Sequence, residues 1–269
     1  MPASMIELPD VERMIDGFAG YATGKTISEV LIDDQEAVDV DPDRASEHLE
    51  DESIEAVERQ GRYIVLRFSS GYQLVFHMGE QGEIYLESQT APPREHSKIR
   101  LQFAAGRELR YTSPGTKGEV HLVEGDDFSG LDTLENLGID PLSDDLTADH
   151  FVELAREHPQ SSLKGMLMNQ EIVAGIGNEY ADEICFQAGY RPDVRLKDMT
   201  DRQLRRVQKY LKRVLRRATL HWEAAHADPG WLINHRTEGG ECPRCGGAVQ
   251  KMKLIGRATY ICPRCQRSV

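Results

Sequence analysis

The chain has no long apolar run. Nothing in its 269 residues approaches the roughly 20 consecutive apolar residues of a bilayer-spanning helix. The opening MPASMIELPD lacks the charged-then-apolar profile of a secretory leader, so a soluble protein of a reducing, intracellular compartment is expected. Internal repeats and low-complexity tracts are missing as well, which excludes a repeat architecture. Basic charge is in deficit. Against 45 Asp and Glu there are 32 Lys and Arg, for a net charge of −13, a balance that on its face argues against nucleic acid as a partner. Cysteine is scarce too, with five residues in all, but four of them fall in the last thirty positions.

Those four are spaced Cys242-x2-Cys245 and Cys262-x2-Cys265, sixteen residues apart. Two such pairs at this separation supply four thiolates to one tetrahedral Zn²⁺; two disulfides are the competing reading, disfavoured in a reduced compartment. The residues between them read as a hairpin. Gly246-Gly247 turns the chain, Ala248 to Leu254 alternates apolar with polar residues, Ile255-Gly256-Arg257 marks a tip, and Ala258 to Ile261 returns as a strand. So short a module cannot bury a core of its own, and a metal takes the place of that core. Cys185, in an apolar helical stretch, reads as an ordinary core residue.

The distribution of charge reverses the first impression. Residues 191–269 hold 18 Lys and Arg against 7 Asp and Glu, while residues 1–190 hold 14 against 38. A basic C-terminal third joined to a zinc hairpin is the electrostatic footprint of phosphate binding. The acid is densest from Asp33 to Glu55 and reads as a solvated loop and edge, with a negative outer surface or an adaptation to salt as alternatives.

Val11, Met14, Ile15 and Phe18 recur at helical spacing behind Pro9. Residues 26–125 then read as short strands. Tyr63–Phe68 and Tyr72–Phe76 flank Ser69-Ser70-Gly71 as a hairpin, and Glu83–Leu86, Ile99–Phe103 and Leu109–Tyr111 follow, a spacing that suggests a β-sandwich. After residue 130 the period turns helical, with segments around Phe151, at Met166–Gln170, from Tyr180 to Gln187, and from Asp201 to Leu220. The last carries a polar face of eight Lys and Arg, which as a plain solvated face needs no further reading.

The turn Gly175-Ile176-Gly177-Asn178-Glu179-Tyr180, together with the four-cysteine hairpin bearing Gly256-Arg257, resembles the formamidopyrimidine-DNA glycosylase and endonuclease VIII family. Further matches are Glu7-Leu8-Pro9-Asp10-Val11-Glu12, Arg59-Gln60-Gly61-Arg62-Tyr63, His77-Met78-Gly79 and Leu137 to Leu142, so the resemblance runs over nearly the whole chain. It implies an α+β protein with an N-terminal β-sandwich (1–130), a helix–two-turns–helix DNA-binding domain (131–228) and a C-terminal four-cysteine zinc ribbon hairpin (229–269). It implies damaged or abasic duplex DNA as partner, a structural zinc, and a monomer of the cytoplasm working at the nucleoid. Asn178 and Arg257 match the family's phosphate-binding positions, Lys164 a lysine facing the DNA, and Arg62 a position usually held by a phosphate-binding lysine. Glu183 reads as a capping or core-bonding carboxylate.

The chemistry departs from the family pattern. That family uses the amine of an N-terminal proline as nucleophile, beside a glutamate acting as acid and base. Here Glu7 matches the glutamate, but Ile6 fills the proline position and offers no amine. Pro2, exposed by removal of Met1, is the nearest proline, four residues upstream, and Lys164 is another candidate amine. The side chains that fill the gap of a flipped nucleotide are replaced by Glu80 and by the Ser113 to Gly118 loop. Three readings remain: a divergent DNA glycosylase with possible abasic-site lyase activity, a non-catalytic binder of kinked, gapped or abasic DNA, and a protein-interaction module.

Overall fold

The computed structural model describes residues 5–35, 38–114, 118–221, 223, 226 and 228–269, without the side chain of residue 132. Pro2 and residues 115–117 of the altered loop therefore lie outside the described residues. The chain divides into two compact units. Unit 1 is Asp10–Glu135 with the segment ending at Ile6; unit 2 is Asn136–Val269 with Glu7–Pro9. The helical and zinc-hairpin segments both fall within unit 2.

The first helix, α1 (Leu8–Ala22), belongs to unit 1 from Asp10 onward and buries Val11, Met14, Ile15 and Phe18, the face its periodicity marks. Two sheets follow. One has four strands in the order β1 (Ile27–Ile32), β7 (Ser97–Phe103), β8 (Arg107–Thr112), β6 (Glu83–Ser88). The other has five, in the order β2 (Val38–Asp39), β9 (Glu119–Glu124), β5 (Tyr72–His77), β4 (Tyr63–Phe68), β3 (Ile54–Gln60). Phe68, Phe76, Ile99, Phe103 and Tyr111 from the two sheets meet the apolar face of α1 in one core. The expected hairpin forms, with Arg67 opposite Gln73 and Tyr63 opposite His77.

The acidic run is more ordered than a solvated loop. It contains α2 (Pro42–Leu49), whose N-terminus is capped by the Asp41 side chain accepting from the amides of Asp43 (3.0 Å) and Arg44 (3.2 Å), and which buries Ala45 and Leu49. Two carboxylates of the run are spent on cations of β7, Asp33 on Arg100 and Asp34 on Lys98. Periodicity missed this helix because only two of its eight residues are buried.

After the short α3 (Asp132–Glu135), unit 2 holds α4 (Ala148–Glu157), α5 (Leu163–Met168), α6 (Asn178–Ala188) and α7 (Asp201–Leu220). Thr147 caps α4 by accepting from the His150 amide, and Thr200 with Gln203 forms a capping box on α7. Gly189, in the left-handed region at φ 81°, ends α6. A 3-10 turn (Leu232–His235) leads to β10 (Gln250–Leu254) and β11 (Arg257–Ile261). Eight of the eleven residues of α6 are buried, because α5, α7, the 3-10 turn and β11 all pack against it.

Candidate nucleic-acid interface and metal centre

The four cysteine sulfurs converge at the base of the hairpin, all within 4.8 Å of one another. Cys242 Sγ lies 3.8 Å from Cys265 Sγ, and Cys245 Sγ lies 3.6 Å from Cys262 Sγ. A tetrahedral zinc with Zn–S of about 2.3 Å has sulfur–sulfur edges of about 3.8 Å, so these residues fit the ion. Gln266 fastens the second knuckle to the helical part. Its side chain accepts from the Cys262 amide and donates to the Tyr190 carbonyl.

At the other end of the hairpin, Ile255 (φ 45°) and Gly256 (φ 76°) form a two-residue turn between Leu254 and Arg257. Two positive φ values match a type I′ turn, which suits the twist of the strands but strains a β-branched residue at its first central position. Arg257 is exposed beside this turn.

The turn before α6 is built around Glu7, which is 2% exposed. Its carboxylate accepts from the amides of Gly177 (2.8 Å), Glu179 (2.8 Å) and Tyr180 (3.2 Å), the groups a helix N-terminus leaves without intrahelical partners. Gly177 is required here because a Cβ at that position would collide with the Glu7 carboxyl. Both oxygens of Glu7 thus hold the end of α6.

Lys164, which resembles a family lysine facing the DNA, sits behind that end and is 0% exposed. Nζ donates to Asn178 Oδ1 (2.8 Å), Asp182 Oδ1 (2.5 Å) and Thr259 Oγ1 (2.8 Å). Burial pulls the Lys164 ammonium below its ordinary range and pushes the Asp182 carboxyl above its own, while their mutual pairing opposes both shifts. One cation therefore joins α5, α6 and β11. Asp182 extends the network by accepting from the Tyr260 amide and from Arg236, which also pairs with Glu179 at 2.6 Å and lies over the Tyr260 ring.

The consequence for Asn178 is orientation. With Oδ1 held by Lys164, its amide NH₂ is left without an acceptor among the described residues. Arg257 is two positions from Thr259 on β11, about 7 Å along the strand and on the same face. The network thus brings together Asn178, Lys164, Glu7 and the strand that carries Arg257. Arg62 belongs to unit 1, half-buried in the turn joining β3 to β4 after Gly61 at φ 60°. Glu183 bonds within the core, accepting from Gln187 (2.7 Å) and the Ile233 amide (2.8 Å). Sequence reasoning missed Asp182, Arg236 and Thr259. The available signal was two consecutive acids inside an otherwise apolar helix, where a carboxylate must find a partner.

Three family models match in succession. The formamidopyrimidine-DNA glycosylase N-terminal domain covers residues 5–120, the H2TH domain of that enzyme residues 137–225, and the zinc finger found in FPG and IleRS residues 239–267. The formamidopyrimidine-DNA glycosylase of Halorhodospira halophila is 31% identical over 272 residues, covering 98% of this chain and 100% of the relative. The chain belongs to the formamidopyrimidine-DNA glycosylase family. The glycosylase of Colwellia psychrerythraea is likewise 31% identical, over 98% of this chain and 100% of its own. Among solved structures, Lactococcus lactis Fpg in complex with abasic-site DNA superposes with a TM-score of 0.85 at 25% identity, covering 97% of this chain and 100% of that one. In this Fpg-family chain the zinc finger match and the four gathered sulfurs assign a structural zinc. No helix among the described residues is long and apolar enough to cross a membrane.

Proposed function

We propose that this chain is a DNA glycosylase of base-excision repair that grips damaged or abasic duplex DNA through Asn178 and Arg257. The observation that carries the reading is the Lys164 network. It ties the N-terminus of α6 to the strand behind the hairpin tip, and it leaves an amide NH₂ and a guanidinium without partners among the described residues. Such donors suit phosphate oxygens, the guanidinium through a forked pair of bonds. Family membership supports the glycosylase class, and the abasic DNA held by the Lactococcus lactis relative supports the ligand. Arg62 adds a further phosphate contact in this reading. The protein acts as a monomer in the cytoplasm, at the nucleoid.

Glu7 is assigned a positioning role, setting the helix end that carries Asn178. Lys164 is unsuited as nucleophile because its amine is buried and shared among three acceptors. Ile6 has no amine; the α-amine of Pro2, freed by removal of Met1, is the proposed nucleophile, its lone pair forming the bond to the sugar C1′ as the glycosidic bond breaks and the damaged base departs with that bond's electron pair. Borohydride trapping on a duplex with one abasic site, followed by peptide mapping, tests this. An adduct on Pro2 is expected. Base release without an adduct would replace the amine by activated water. Tight binding with neither would reduce the protein to a binder. If Asn178→Ala and Arg257→Ala both left DNA affinity unchanged, the assigned face would fall.

A further inference from the structure

The C-terminal end of α6 faces a second cationic feature, about 14 Å along the helix from Asn178. A groove of about 270 Å³ opens there, lined by Arg206, Tyr210, Arg213 and Arg217 of α7, by Trp231, and by Arg244 of the first zinc knuckle. Three of the four guanidinium groups lie over aromatic rings, and two of these also donate to neutral oxygens, Arg206 to the Ala188 carbonyl and Arg244 to Gln187 Oε1. Arg206 lies 4.8 Å from the Tyr210 ring centre, Arg217 5.8 Å from Trp231 and Arg244 4.3 Å from Phe186. Asp228, paired with Arg217, is the one carboxylate bonded to any of the four among the described residues.

The groove lies on a longer stripe. Arg202, Arg206, Lys209, Arg213 and Arg216 recur every three or four residues, with Arg217 beside the last, so they share one face of α7 over about 22 Å, opposite buried Leu204, Val207, Leu211 and Leu215. Arg202, Lys209 and Arg213 are exposed and have no ion-pair partner among the described residues. A merely solvated face in a chain of net charge −13 would have many acids at hand to pair with.

We infer that this stripe and groove form a second phosphate-binding surface, apart from the Asn178–Arg257 face, and that its occupant is the backbone of another stretch of nucleic acid. Guanidinium groups pre-set by stacking give up little side-chain freedom on binding, and their forked geometry matches phosphate oxygens. The length of the stripe, equal to the rise of roughly six nucleotides at 3.4 Å each, favours a polymer over a free phosphate. The inference stands whether or not the proposed lesion face is correct.

The test uses the full chain carrying N178A/R257A, with an undamaged 30-base-pair duplex and, separately, tripolyphosphate read by tryptophan fluorescence. Residual salt-dependent duplex binding is expected. Adding R202A/K209A, two exposed positions whose loss leaves the fold intact, should weaken it several-fold and lower the slope of log affinity against log salt by about 1.8. Adding R213A/R244A should do the same and also reduce tripolyphosphate binding. Absence of residual duplex binding overturns the inference, as does a slope indifferent to both pairs. Tripolyphosphate binding lost in R213A/R244A, with duplex binding unmoved, would replace the polymer by a small phosphate. Should N178A/R257A bind abasic duplex as tightly as the parent, the proposed lesion face fails while the second surface is still tested.

Discussion

Arg59, Arg67, Arg94, Lys98, Arg100 and Arg110 of unit 1 each lie in an ion pair with a neighbouring carboxylate. On α7 of unit 2, Arg202, Lys209 and Arg213 have no such partner among the described residues, although α7 is the most basic helix of the chain. The difference shows why a net charge of −13 misleads as a guide to partners. The acids cancel cations mainly where they are neighbours in the fold, and the field that steers a polyanion is set by the cations left over. Unit 2 also does with charge what unit 1, among the described residues, does at Arg110 and Glu108. It buries an ion pair, Lys164 with Asp182, at 0% exposure on both sides. Exposed pairs contribute roughly 0–1 kcal/mol, whereas breaking a buried one by removing a partner costs several times that.

The largest expected effect separates the units by metal. Chelation, or Cys262→Ser, should release β10 and β11 and with them the Lys164 and Asp182 contacts to Thr259 and Tyr260, since zinc binding in such modules is worth about 10–16 kcal/mol. Region-resolved hydrogen exchange should show protection lost in β10, β11 and α6 but kept in β4 and β5. Loss in both units together would break the comparison.

Next in size is Lys164→Met, which leaves Asp182 with Arg236 as its one cation among the described residues and the Tyr260 amide as a neutral donor. Urea unfolding should register a loss of about 3–5 kcal/mol, much of it recovered in K164M/D182L because no orphaned charge then remains. A loss within the range of an exposed pair, about 0–1 kcal/mol, would mean that burial adds nothing over the exposed pairs of unit 1.

A pH effect of about 3 kcal/mol is expected from Glu183, whose burial pushes its carboxyl from 4.5 up to about 7. In that window the folded chain holds a proton that the unfolded chain has released. Stability from this group is therefore complete below about 4.5 and declines as pH rises to about 7. Unfolding midpoints at pH 5 and pH 8 should differ in this sense, and Glu183→Gln should remove the difference. An unaltered pH response in that variant would show the dependence to arise elsewhere.

The smallest effect concerns the hairpin tip. Ile255→Asn should stabilise the turn by about 1 kcal/mol, because asparagine tolerates the left-handed region and Asn-Gly suits a type I′ turn. A destabilised variant would mean that packing of the Ile255 side chain outweighs its backbone strain.

Parts of the fold are legible in the chain's own patterns. Helix α7 begins and ends where its period places it, because a strongly amphipathic run carries its own boundaries. The strand pair around Ser69-Ser70-Gly71 and the zinc hairpin are readable for the same reason, since each is a local pattern with its own turn chemistry. Helix α2 is not, because its charge hides a narrow apolar face. Glu7 and Lys164 stand out in the sequence, but their surroundings do not. The resemblance implies an acid and base for Glu7 and a lysine facing the DNA for Lys164; the fold adds that both are buried and hold backbone or side chains in place.

Sequence alone determined the family, the metal ligands and the concentration of cations in the last third, since these rest on residue types at short, fixed spacings. Only the tertiary structure decided which charges remain free and which are consumed. Lys164 meets a carboxylate 18 positions away and a hydroxyl 95 positions away, and Glu7 meets amides some 170 positions along the chain. The fate of a charge depends on neighbours in space and on the water they exclude, and neither is written in its neighbours along the chain.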